Sequence, residues 1–393
     1  MKIIHVIESI DDRYGGPAKS VPDLIFRLNL SGTENEIVST KVYENESNAL
    51  IEKHGIVWKS FSIRKWLPKI IRYSSGLSDY LKYQVTSNPG EVIFHTHNFW
   101  NYPIYVVYKL VLKHEIPLVV SLRGSLKHIR YHKYLAWHLF QKKMLNSASA
   151  IHVTNQNDEK LLRDLGITTP VIYIPNGIDL GTFEIRKSTM EARKSIGVDP
   201  ERKYILFLSR LHIDKGLDLL VKEWSALSSI YPNWDLLVAG PIYSRKYVRS
   251  VEQKIEKENL SGRVKFLGMV VGQEKLDVLA ASNLLVLPSK SENFGNVIAE
   301  ALACGLPVIT TKATPWAELR QFNAGWWIER EGPELRISLN DAMSRSSSDL
   351  EAMGKRGKEL VKRYDVADQS KKFIELYGTC LGRHKSRENQ RGL

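Results

Sequence analysis

Two carboxylates, Glu292 and Glu300, stand eight positions apart in SENFGNVIAEALACGLPVITT (Ser291–Thr311), with Gly295 between them. Glu292 follows the apolar run LLVLPS, and Glu300 falls roughly one turn into a helical pattern that opens after Gly295. A glycine there lets backbone approach a ligand closely. The first amides of a helix have no intrahelical partner and carry the positive end of its dipole, so a phosphate suits them. A carboxylate beside such an end can accept hydrogen bonds from the vicinal hydroxyls of a ribose, and a second from another hydroxylated group. The same residues also read as a capping Glu292 and a solvated Glu300.

YILFLSRLHIDKGLDLL supplies cations for the same chemistry. Ser209 and Arg210 end a strand and Lys215-Gly216 opens a helix, which together make a phosphate site that needs no metal. Alone, Lys215 reads as an ordinary surface lysine. No Asp-x-Asp motif occurs, so neither a diphosphate-bridging metal nor any other cofactor is expected.

The first half carries other candidates. His95 and His97 alternate along a strand and share a face, but the neighbouring sequence offers no third metal ligand. His128 and His132 are four apart on a helical pattern without the glutamate of a zinc-protease motif, and read as surface or acceptor-site residues. Arg123, in SLRGSL at a strand end, suits an anionic acceptor such as a lipid diphosphate, or a structural role.

These residues need a scaffold that collects strand ends. Eleven apolar runs, from KIIHVIES to GWWIE, lack polar alternation, as strands do in parallel sheets covered on both faces. Helical patterns separate them, giving a doubly wound α/β reading. The break from Asp179 to Arg202 splits the runs into two sets. At 393 residues, two domains are expected. In such sheets ligands sit beyond the carboxyl ends of the strands. Those ends carry HTHNFW, SLRG, PNGID, LSR, AGP and SENFG, which implies a ligand cleft between the domains.

Hydrophobic content of 43% and charged content of 25% are those of a globular chain. Two cysteines give no disulfide framework, no apolar run spans a bilayer, and MKIIHVIESIDDRYGG reads as a first strand rather than a signal peptide. The expected location is the cytoplasm. The net charge of +13 is uneven: Trp58–Met144 holds fourteen Lys and Arg against three acidic residues. Within it, WKSFSIRKWLPKIIRYSSGLSDYLKY starts a helix near Pro68, with Ile70, Ser74, Leu77 and Leu81 on one face. That face packs on the sheet, or the basic, aromatic entry rests on the anionic inner face of the cytoplasmic membrane.

Taken together, Ser209-Arg210, Lys215-Gly216, ENFGNVIAEALACGLPVI and Glu318 resemble the donor domain of family 4 retaining glycosyltransferases of GT-B fold. The resemblance runs along nearly the whole chain: GGP at Gly15–Pro17 looks like the family's glycine loop, HTHNFW its histidine strand end and IPNGID its inter-domain turn. It implies two facing Rossmann-like domains, 1–183 for the acceptor and 184–365 for a nucleotide-sugar donor. A helix, 366–382, would pack back on the first domain, followed by a basic tail, 383–393. Glu300 would hold the donor ribose, Arg210 and Lys215 the pyrophosphate, and Glu292 the sugar. Asn293, Phe294, Gly295, Asn296 and Val297 would lie beside sugar and phosphate, with Ser209 and Gly240 at neighbouring strand ends. Gly15 and Gly16 would close on the diphosphate and His97 on the transferred sugar. Catalysis would fall to His97, Arg210, Lys215 and Glu292, and acceptor contacts to Asn98, Trp100, Arg123 and His128.

The sequence departs from the pattern at Thr314-Pro315-Trp316, where many members have paired glycines and bacterial surface-polysaccharide members do not, and at Asn293, commonly glycine. The implied reaction is metal-independent transfer with retention, by front-face attack in which the leaving phosphate oxygen takes the acceptor proton. The partners are a nucleotide sugar and a glycan or polyprenyl-diphosphate-linked acceptor, in lipopolysaccharide O-antigen, capsule or exopolysaccharide assembly. Two alternatives stay open, a nucleotide-sugar epimerase of GT-B shape and a non-catalytic sugar-nucleotide-binding protein. A dinucleotide oxidoreductase lacks its G-x-G-x-x-G here, and a nucleic-acid binder has no recognisable module.

Overall fold

The structure is a computed structural model that describes residues 1–11, 16–41, 44–69, 71–124 and 137–391. Gly15, Ile70 and His128 lie outside the described residues. The chain divides into two compact units, Met1–Gly177 with Val366–Leu393, and Ile178–Asp365. The division falls after Gly177 rather than after Phe183, because Ile178 bridges to Asp365 and donates to the Tyr364 carbonyl at 2.8 Å.

The first unit holds seven strands: β1 (Lys2–Ile7), β2 (Glu34–Lys41), β3 (Val57–Ser62), β4 (Val92–His97), β5 (Leu118–Ser121), β6 (Ala150–Val153) and β7 (Val171–Tyr173). They run in the order β3-β2-β1-β4-β5-β6-β7, every pair parallel. The second holds β8 (Lys203–Leu208), β9 (Trp234–Ala239), β10 (Val264–Gly268), β11 (Leu284–Leu287), β12 (Val308–Thr311) and β13 (Gly325–Ile328), ordered β10-β9-β8-β11-β12-β13 and again parallel. Both sheets reverse strand order beside their first strand, the doubly wound arrangement that leaves a crevice at the carboxyl ends of the strands. β4, β9, β11 and β12 are buried along their whole length, which is why they read as mostly apolar runs without polar alternation.

Two segments differ from their sequence reading. The helix expected near Pro68 is Ser75–Ser87, because the Ser74 hydroxyl caps it by accepting from the Leu77 amide; Leu77 and Leu81 are then buried against the sheet as expected. The C-terminal helix runs Val366–Arg391, so the segment from 383 read as a tail continues the helix. Phe373, Leu376, Tyr377 and Cys380 on that helix pack with Ile3, Leu28, Ile93 and Val119 of the first unit. No described helix is long and apolar enough to cross a membrane.

Candidate active site

In the second unit the strand ends bring the expected residues together. β8 runs into Ser209 and Arg210, and a short turn places Lys215 ahead of Gly216 and the helix Leu217–Ser225. β11 runs into Pro288 and Ser289, and the loop after it carries Glu292 back toward that turn. Lys215 Nζ lies 2.5 Å from Glu292 Oε1, which also accepts from the Ser289 hydroxyl at 3.0 Å. Lys290 N donates to the Asp214 carbonyl at 2.7 Å, fastening the two loops by backbone as well. The pair is mostly shielded, with side chains 13% and 15% exposed. Arg210 is exposed, its guanidinium 5.2 Å from the Tyr243 ring centre.

Gly240, the residue after β9, lies at φ 137° directly against this turn. A Cβ on it would stand 1.9 Å from the Ser209 carbonyl oxygen, so only glycine fits while Ser209 N bonds Ala239 O at 3.0 Å.

Gly295, at φ 82°, turns the chain into the helix Asn296–Ala303. The residues before it are braced by an indole: Trp316 is fully buried, donates to the Phe294 carbonyl at 2.5 Å and packs on the Phe294 and Tyr364 rings. The Trp327 indole in turn donates to the Thr314 carbonyl at 3.0 Å. The Thr314-Pro315-Trp316 departure therefore fixes this loop by side chains. Phe294 is buried, while Asn293, Asn296 and Val297 are half-buried. Glu318 has a structural partnership, with the Arg363 guanidinium at 2.6 Å and the Tyr364 hydroxyl.

Glu300 is not solvated. It is 3% exposed and forms an ion pair with Lys275, on the helix Gly272–Ala281. Lys275 went unread in the sequence because nothing in GQEKLDVLAA marks that lysine.

The first unit holds a buried polar layer. His95 and His97 (β4) are joined by His5 (β1), Ser121 (β5) and His152 (β6), all 2% exposed or less. His152 Nε2 lies 2.7 Å from the Ile174 carbonyl and so donates to it, which leaves Nδ1 to accept from Ser121, at 2.6 Å. Ser121 Oγ then accepts from His95 Nε2, at 2.6 Å, and His95 Nδ1 from the Tyr377 hydroxyl, at 2.7 Å. A second chain runs from Arg123 to His97 Nδ1 (3.3 Å), from His97 Nε2 to His5 Nδ1 (3.1 Å) and from His5 Nε2 to Asn35 Oδ1 (3.1 Å). Each ring thus donates through Nε2 and accepts through Nδ1, a neutral tautomer. Burial lowers all four pKa values, His5 to about 4 and His152 to about 3, with His95 and His97 well below their usual value; Arg123 depresses each further.

His5 supplies the third histidine the sequence reading lacked: one ring nitrogen from each of His5, His95 and His97 lies within 4.8 Å of the others, the one such group among the described residues. Every one of those nitrogens already has a hydrogen-bond partner, and the Arg123 guanidinium opposes a cation there. His97, expected beside the sugar, is 1% exposed, with both ring nitrogens engaged. Arg123, at φ 48°, is held by Ser20 (2.9 Å) and Asn176 (3.1 Å), and burial lowers its pKa to about 10. Asn98, at φ 93°, and Trp100 are half-buried just past β4, and Gly16 begins the helix Gly16–Leu30.

Residues 14–182 match the family described as Glycosyltransferase Family 4, and residues 188–360 that described as Glycosyl transferases group 1. The chain belongs to the family 4 glycosyltransferases. A lipopolysaccharide core biosynthesis mannosyltransferase of Rhizobium meliloti is 31% identical to this family 4 chain over 39% of it and 45% of the relative. A GDP-mannose:cellobiosyl-diphosphopolyprenol alpha-mannosyltransferase of Xanthomonas oryzae is 25% identical over 68% of the chain and 69% of the relative. The first curated relatives are matched over only 45–54% of their length. Among solved structures, Anabaena HepE with UDP-glucose aligns at TM-score 0.79 and 20% identity, covering 96% of this chain and all of that one. The fold is GT-B.

Proposed function

We propose that this chain transfers a sugar, with retention and without a metal, from a nucleotide-diphosphate sugar to a glycan or polyprenyl-diphosphate-linked acceptor in assembly of a bacterial surface polysaccharide. The observation that carries the reading is the shielded Lys215–Glu292 pair on the loop that leads into the Gly295 helix start. Lys215, Arg210 and the Asn296 helix start would stabilise the charge that develops as the nucleoside diphosphate leaves. Glu292 would orient the sugar and Glu300 the ribose. The curated names include GDP-mannose as donor and a diphosphopolyprenol acceptor, and the solved neighbour holds UDP-glucose, so guanine and uracil are the bases to try first.

Acceptor contacts fall to Asn98, Trp100 and Arg123. Trp66, 76% exposed beside exposed Arg64, Lys65 and Lys69, supports a peripheral contact with anionic lipid. Cosedimentation with anionic but not neutral vesicles is the expected result.

A thermal-shift panel of UDP, GDP, ADP and their sugar conjugates tests the donor reading, since a ligand bound to the folded state raises its stability by mass action. Selective stabilisation by one base is expected, and its sugar conjugates then go into transfer assays with lipid-linked acceptors. Stabilisation by none at millimolar ligand would refute the donor site.

A further inference from the structure

Glu300 sits in the interior of the second unit, its side chain 4% exposed. A carboxylate withdrawn this far from water is held ionised only by a charge partner and good hydrogen bonds, and removing the partner leaves a strongly unfavourable buried charge. The ammonium of Lys275 provides that charge from a separate helix, and it remains 22% exposed at its own end. Glu300 lies beyond the first turn of the helix that opens at Gly295, so a phosphate at that helix start and a ribose on Glu300 are one nucleotide apart in chemistry.

We propose that Lys275 is a positioning residue for ribose recognition: its ion pair with Glu300 keeps that carboxylate charged and aimed, and so sets the preference for ribonucleotides over deoxyribonucleotides. The inference rests on the donor-site reading above and adds to it a residue on which no nucleotide atom need bear. With Lys275 in place, Glu300 presents a charged acceptor to a ribose hydroxyl. Without it, the carboxylate takes up a proton or turns away, and the hydroxyl loses its acceptor while the phosphates keep theirs at Lys215, Arg210 and the helix start.

The neighbouring helix is well anchored without this lysine. Asp277, two residues on, accepts from Lys187 at 2.6 Å, from Ser195 at 3.0 Å and from Gln273 at 2.8 Å. A substitution at Lys275 therefore acts on Glu300 rather than on the attachment of the helix.

Calorimetric titration of the full chain with the preferred nucleoside diphosphate and its 2′-deoxy and 3′-deoxy analogues tests this. The wild type is expected to favour the ribonucleotide over at least one analogue by about tenfold or more, the worth of a hydrogen bond to a charged acceptor. Lys275→Met is expected to bring that ratio near one by weakening the ribonucleotide alone, and Lys275→Arg to restore most of it. Equal weakening of ribo- and deoxynucleotide by a folded Lys275→Met, or an unchanged ratio, overturns the inference while leaving the donor site standing. A wild type that binds ribo- and deoxynucleotides equally overturns it too, by removing the ribose role of Glu300. A wild type that binds no nucleoside diphosphate overturns the donor-site reading itself. Because Lys275→Met leaves a buried carboxylate, the double variant Glu300→Gln/Lys275→Met, which carries no orphaned charge, is measured against Glu300→Gln. No further loss of ribonucleotide affinity is expected, and a further loss of more than about threefold overturns the inference.

Discussion

Lys215 Nζ and Glu292 Oε1 are 2.5 Å apart, joining the turn after β8 to the loop after β11. The two groups that the donor reading assigns to pyrophosphate and to sugar thus lie in direct contact with each other. Donor phosphates would draw the ammonium to themselves and leave Glu292 free for sugar hydroxyls. Lys215→Met is expected to weaken nucleoside-diphosphate binding by about 30-fold or more, the range of a charge-assisted contact, and to weaken nucleoside binding hardly at all. Calorimetry with the two ligands checks it. Equal loss for both would mean that Lys215 holds the loop and not the phosphates.

Gly240 offers a test of the scaffold beneath that pair. A methyl group there would lie 1.9 Å from the Ser209 carbonyl, at a backbone φ of 137° that other residues rarely adopt. Gly240→Ala should cost about 2 kcal/mol or more, a fall in Tm of roughly 5 °C for a unit of this size. Donor binding should weaken with it, since the turn bearing Arg210 must shift. Calorimetric unfolding with and without nucleotide gives both numbers, and an unshifted Tm would show that the strand end accommodates a side chain.

Much of this was legible in the chain. The mostly apolar runs of β4, β9, β11 and β12 announced parallel strands, and the polar residues that follow them could be read as strand-end residues. Three things were not legible, each because it depends on pairing across long stretches of sequence. Lys275 meets Glu300 only when two helices pack, His5 meets His97 only when β1 and β4 lie side by side, and Trp316 reaches the Phe294 carbonyl only when two loops close. The helix start at Ser75 was misread for a local reason: Pro68 is a strong signal, but the Ser74 cap is the one the chain uses.

Transfer is expected to survive chelation. The sequence has no Asp-x-Asp pair, and the donor reading places Lys215, Arg210 and a helix start where a divalent ion would otherwise neutralise the diphosphate. Activity in excess EDTA should stay within about twofold of the untreated protein, against a ΔΔG‡ of under 1 kcal/mol. Loss of activity that magnesium or manganese restores would sink the metal-independent mechanism.

The histidine layer predicts a pH dependence that the donor site does not. Burial is the main cause of the lowered pKa values, with His5 near 4 and His152 near 3 against 6.5 for the unperturbed side chain. Below about pH 6.5 the unfolded chain takes up protons that the folded layer refuses, so the unfolded state gains free energy of binding and stability falls. The contribution is complete above that pH and is lost as the pH descends toward the folded values. At pH 5 each such histidine removes about 2 kcal/mol of stability relative to neutral pH. Protonation would also set a charge beside Arg123 and break the one-way run of Nε2 donors from Tyr377 to the Ile174 carbonyl. Urea midpoints should therefore drop steeply between pH 7 and pH 5 in the wild type. His152→Asn should be less stable at pH 7 but lose less on acidification, by up to one proton's worth of slope. Parallel pH profiles for wild type and variant would show that His152 is not held neutral by the fold.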